Sequence, residues 1–99
     1  MSKFVVPVDP DLSDLIPGFL ARKRQDAEAI RAAADAQDYA TLSSLGHKIK
    51  GEGGSYGLDG ISTIGEQVEL AAKQQDLQAI RQLADNLIDY LDSVEIVFE

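Results

Sequence analysis

The dipeptide Gln-Asp occurs twice between amphipathic stretches, at Gln37-Asp38 and at Gln75-Asp76, and this repeated punctuation constrains the fold more than any other feature. An aspartate just ahead of an apolar-periodic segment offers its carboxylate to the first unpaired N–H groups of a helix. On both sides of each dipeptide, apolar residues recur three and four apart, the period of a helix with one buried face. Phe19, Leu20, Ala27, Ile30 and Ala34 form the stripe ahead of the first break. Ile61, Ile64, Val68 and Ala71 or Ala72 precede the second break, and Leu77, Ile80, Leu83, Leu87, Leu91 and Val94 follow it. Between these lies a helix expected from about Asp38 to Ser55, stopped near Gly57 by a left-handed residue, and the next is expected from about Leu58 to Gln74. Two helical hairpins result, and they bury their stripes most simply as an all-α, antiparallel four-helix bundle. The stretch from Phe4 to Pro10 reads as extended. Pro17 is expected to separate a short additional N-terminal helix, about Asp11 to Ile16, from the first long one, because proline suits a first turn and damages an interior.

With 99 residues, 44% of them hydrophobic, the chain holds one core, so residues 1–99 are read as a single domain. No cysteine is present, which removes disulfides and thiolate metal sites and fits a reducing compartment. The start lacks a basic-then-apolar leader, and no run approaches the roughly 18 apolar residues of a membrane span, so a cytoplasmic protein without membrane association is expected. A formal net charge of −8 opposes binding to nucleic acid, which depends on accumulated Lys and Arg. The acid is uneven. Between Gly46 and Gly57 the charges are Lys48, Lys50 and Glu52, a mildly positive window able to receive an anionic group.

That window contains the only histidine, His47. At about 100° per residue, Leu42, Leu45, Ile49 and Tyr56 gather roughly opposite His47, while Lys50, Gly51 and Gly54 lie within about 60° of it. The imidazole is therefore displayed rather than packed. Four glycines, Gly46, Gly51, Gly53 and Gly54, share its helix, each costing about 1 kcal/mol relative to alanine. Gly53 points to the core side, where close helix packing explains it. Gly51 and Gly54 lie one and two turns after His47 on its own face, and leave bare backbone over which a second macromolecule can approach the ring. Lys50, three residues on, is a surface neighbour whose ammonium can reach an anion carried on the imidazole.

Other chemistries fit poorly. One histidine and no cysteine make no ordinary zinc site, and a di-metal centre in a bundle needs Glu-x-x-His pairs that are absent, so no metal is expected. A Ser-His-Asp triad needs a water-excluding pocket that an open helix face does not provide. The run Gly51 to Gly57 lacks the following Lys-Ser/Thr of a phosphate loop and the strand before it.

His47-x-x-Lys50-Gly51, followed by Gly54 and Gly57, resembles the signature of histidine-containing phosphotransfer (HPt) domains, and length and helix order match over nearly the whole chain. The one departure is Gly53-Gly54, where the family often has small residues such as alanine; it removes no functional group. The resemblance implies a phosphoryl carrier in a two-component phosphorelay, with no kinase or nucleotide-binding motif of its own. His47 would accept a phosphoryl group from a histidine kinase or a receiver-domain aspartate and pass it to another receiver. Lys50 would bind phosphoryl oxygens, and Gly51 and Gly54 would admit the partner's active site. It further implies no cofactor in this chain, magnesium on the receiver, and a monomer that docks receivers through the basic window with Lys48 and an apolar patch. Candidates for that patch are Leu12, Leu15, Ile16 and Phe19. The alternative is an adaptor bundle that binds receivers without being phosphorylated.

Overall fold

The computed structural model describes residues 4–99. Four helices, α1 (Ile16–Asp35), α2 (Tyr39–Ser55), α3 (Asp59–Lys73) and α4 (Leu77–Ser93), form the bundle, flanked by two short strands, β1 (Phe4–Val8) and β2 (Val94–Phe98). The all-α four-helix architecture read from the sequence is the one observed.

The three helix connections are built alike. Gln37, Gly57 and Gln75 each adopt a left-handed backbone, with φ of 52°, 74° and 54°. In each, two N–H groups turn back onto the carbonyls of the helix that ends. Gln37 and Asp38 donate to Ala34 and Ala33, Gly57 and Leu58 to Gly54 and Gly53, and Gln75 and Asp76 to Ala72 and Ala71. These paired bonds are the Schellman closure, which satisfies carbonyls the helix leaves free. Asp38 then caps α2 by accepting from the Thr41 amide at 3.1 Å, and Asp76 caps α4 by accepting from the Ala79 amide at 3.1 Å. Each Gln-Asp pair thus stops one helix and starts the next.

The two ends of the chain depart from expectation. No separate helix spans Asp11 to Ile16; a single 3₁₀ turn covers Pro10–Leu12, with the Asp11 amide donating to the Asp9 carboxylate, and α1 already begins at Ile16. So short a segment cannot nucleate an α-helix by itself, and Pro17 lies in the first turn of α1, where its missing N–H costs nothing. Val94, at helical spacing from Leu91, belongs to β2 and not to α4. The run Val94-Glu95-Ile96-Val97-Phe98 is β-branched and aromatic, and it gains a partner: β1 pairs with it in parallel from Phe4↔Val94 to Val8↔Phe98.

The core is apolar apart from the buried Lys23 and Asp26 of α1, with Phe19, Ile30, Leu42, Ile49, Ile61 and Leu87 wholly buried among others. Ionic and aromatic pairs set the alignment of α1 against its neighbours. Along α4, Arg24 meets Asp92, Arg31 meets Asp85 and Asp35 meets Arg81, at 2.6, 2.7 and 2.6 Å. Along α2, Phe19 stacks on Tyr56 with centroids 4.1 Å apart, Lys23 meets Glu52, and Asp26 meets Lys48. Both sets follow an antiparallel register.

The contact between α2 and α3 is closer still, because it is made by glycines. A Cβ on Gly46 would stand 2.5 Å from the Glu69 nitrogen, and one on Gly53 2.5 Å from the Ser62 nitrogen. From the other side, Gly65 is pressed equally hard against the Lys50 nitrogen. The two backbones touch with no side chains between them, and the Ser62 hydroxyl adds a 2.9 Å hydrogen bond to the Lys50 carbonyl.

Candidate functional site

His47 stands on the third turn of α2, its side chain 78% exposed. One and two turns further along its face stand glycines. Nothing lies within 4 Å of the Cβ that Gly51 lacks, and the corresponding position on Gly54 is 3.9 Å from the Ser62 hydroxyl alone. The four glycines of this helix therefore divide by direction, Gly46 and Gly53 making the crossing with α3 and Gly51 and Gly54 opening the surface beside the ring. The sequence places Gly53, Gly51 and Gly54 correctly. Gly46 had no assigned role.

One neighbour of the ring was missed altogether. Glu69 of α3 brings Oε2 to 3.4 Å from His47 Nδ1, with only 21% of its side chain exposed. This approach follows from the glycine crossing, which brings the backbone of Glu69 against α2 at Gly46, one residue before the histidine. A carboxylate is acceptor-only, so it favours the tautomer with the proton on Nδ1, in which Nε2 keeps its lone pair. No signal in the sequence singles out Glu69 from the other acids, because the crossing register of two helices is a tertiary property.

Lys50 is exposed, and its ammonium has no hydrogen-bond or ion-pair partner among the described residues. It is a free cation one turn from the imidazole. Lys48 differs. Its ammonium is 3.0 Å from Asp26 Oδ1, and Asp26 Oδ2 in turn lies 2.5 Å from the ammonium of Lys23. Lys23 is only 1% exposed and also meets Glu52 at 2.5 Å. This four-membered ionic cluster was not foreseen. The signal was present, since Lys23 and Asp26 fall inside the apolar stripe of Phe19 and Ile30 at helical spacing, and charges there must be paired.

The apolar candidates for docking are divided by the structure. Leu15 is 51% exposed, and Leu12 is partly buried against the core. Ile16 and Phe19 are corrected to core residues: Ile16 is 3% exposed, and Phe19 is wholly buried because its ring packs on Tyr56. Neither presents a surface to a partner.

Ser43, Ser44, His47, Lys48 and Glu69 line a depression beside the ring. A larger cleft of 870 Å³ lies elsewhere, between β1 and the helices α3 and α4, around Ile64, Asp89 and Tyr90, and contains no residue of the histidine site. Among the described residues no helix is long and apolar enough to cross a membrane, and no three His, Cys, Asp or Glu side chains are grouped as metal ligands.

A bundle helix that displays a histidine, backed by a carboxylate and flanked by an unpaired lysine and bare backbone, defines a phosphotransfer module. The profile of the Hpt domain family matches residues 14–96, and the chain belongs to that family. Comparison with curated proteins and with solved structures gives no significant match. Membership assigns the chain a phosphotransfer role in two-component signalling, as a phosphocarrier module and not a kinase, working with receiver domains or histidine kinases.

Proposed function

We propose that His47 carries the phosphoryl group, taking it from a histidine kinase or a receiver-domain aspartate and passing it to another receiver. The observation that carries this reading is the imidazole, 78% of its side chain open to solvent, whose Nδ1 faces Glu69 at 3.4 Å. In the transfer from a receiver, the Nε2 lone pair forms the N–P bond as the P–O bond of the phosphoaspartate breaks, and the bonding electrons leave with the carboxylate. The ring gains positive charge in this step. Glu69, its carboxylate 3.4 Å from Nδ1, stabilises that charge and favours one setting of the ring.

Phosphoryl transfer asks mainly for positioning and for stabilisation of charge on the moving oxygens. Lys50 meets the second requirement on this side of the interface, because its ammonium has no other partner among the described residues. Magnesium and its acidic pocket belong to the receiver, so this chain contributes no metal ligand. Gly51 and Gly54 let the partner's active site close over the ring, and Leu15, with the edge of Leu12, gives the contact an apolar margin. The carrier is expected to act as a monomer. Labelling of the wild type by a phosphorylated receiver, lost in His47→Gln with helix content retained, is the expected result; an adaptor would bind the receiver and take up no label.

A further inference from the structure

We infer that Asp26 is a positioning residue that holds Lys48 away from the phosphoryl group, so that Lys50 alone supplies positive charge there; the inference rests on His47 as the carrier. It follows from how the charges of the buried cluster are satisfied. Lys23, 1% exposed and with its ammonium 5.3 Å from the Phe19 ring centroid, cannot be solvated and needs carboxylates to compensate it. Glu52 Oε1 and Asp26 Oδ2 provide them, each at 2.5 Å. The second oxygen of Asp26 remains, and it takes the Lys48 ammonium at 3.0 Å. Two ammoniums and two carboxylates close on themselves with no net charge.

Lys48 also lines the depression that contains His47 and Glu69, and half its side chain is exposed. Its flexible four-carbon stem would carry the ammonium to an anion on the neighbouring ring if Asp26 released it. A carrier must give up what it accepts, and an added cation that stabilises the phosphorylated state retards the onward step. Asp26 therefore sets how tightly the phosphoryl group is held, without touching it.

The test uses phosphoramidate as donor and ³¹P NMR as readout, at fixed phosphoramidate and ammonia. Here His47 Nε2 forms the N–P bond, the donor's own P–N bond breaks, and ammonia leaves with the electron pair while the Nδ1 proton stays on the ring. Asp26→Asn alone takes one of its two carboxylates from the buried Lys23, so the informative variant is Lys23→Met with Asp26→Asn, which removes the buried charge together with that partner. Its ratio of phosphorylated to free His47 should rise about threefold, the scale of one exposed ion pair. Adding Lys48→Ala should return the ratio to the wild-type value. Lys23→Met alone leaves Asp26 on Lys48 and should not move it. An unchanged ratio in the double variant, a rise that survives Lys48→Ala, or the same rise in Lys23→Met alone overturns the inference while leaving His47 as carrier. Absence of phosphohistidine in the wild type overturns both.

Discussion

Gly46 of α2 and Glu69 of α3 meet backbone to backbone, so closely that a Cβ on the glycine would stand 2.5 Å from the Glu69 nitrogen. That contact places the Glu69 carboxylate beside His47, and a packing feature thereby becomes a chemical one. Gly46→Ala should destabilise the fold by about 2 to 3 kcal/mol, because backbone cannot yield as a side chain can. Gly51→Gln should do the opposite, gaining up to about 1 kcal/mol of helix stability while sharply slowing transfer, since the new side chain meets open space in the free protein and obstructs the partner. Thermal midpoints and transfer rates on both variants check the division, and equal stability losses would refute it.

Glu69→Ala should slow phosphorylation of His47 by at least about tenfold, through loss of the group that fixes the tautomer and receives the developing charge. The fold should persist, because the side chain lies at the surface edge of the crossing. ¹⁵N spectra of the ring should show a smaller share of the Nδ1–H tautomer. A normal rate with an unchanged tautomer ratio would reduce Glu69 to a bystander.

Lys50→Ala should lower the transfer rate about ten- to a hundredfold, which corresponds to roughly 1.4 to 2.7 kcal/mol of transition-state stabilisation. Affinity for the unphosphorylated receiver should change much less, since the charge that Lys50 meets appears only with the phosphoryl group. Wild-type transfer in this variant would return Lys50 to the solvated surface.

The cap of α2 gives a pH dependence of known sign. The hydroxyl and the amide of Thr41 both donate to the Asp38 carboxylate and hold its pKa below the ordinary 3.8. A group lowered in the folded state adds stability that is fully present above its unfolded value and is lost as pH falls through the folded one. The gap in thermal midpoint between wild type and Asp38→Ala should therefore be widest near neutrality and should close below pH 3.8. A gap that is constant with pH would mean that the charge does not contribute.

Much of this was legible because it is local. The Gln-Asp pairs, Gly57, and the opposition of His47 to the apolar stripe all follow from helix period and capping within a few residues, and the observed helix ends lie within one or two residues of expectation at these breaks. What was missed depends on partners distant in sequence. Val94 continues the period of α4 and leaves it only because β1 offers a strand to pair with. Phe19 was read both in the buried stripe of α1 and as a docking candidate, and what decides for the core is Tyr56 stacking on it, which requires the α1–α2 register. Glu69 required the α2–α3 crossing, which Gly46 and Gly65 set together. The Lys23 cluster and the absent helix at Asp11 to Ile16 are exceptions, since two charges inside an apolar stripe, and a segment too short to nucleate, could have been read locally.

The most direct measurement is site-resolved labelling. Wild type and His47→Gln are incubated with receiver domains carrying phosphoaspartate, and the phosphate is mapped by mass spectrometry and tested for stability in acid and base. The account predicts acid-labile, base-stable phosphate on His47 of the wild type and none on the variant, with equal helix content in both. Label retained by folded His47→Gln, or carried on another residue of the wild type, would contradict it.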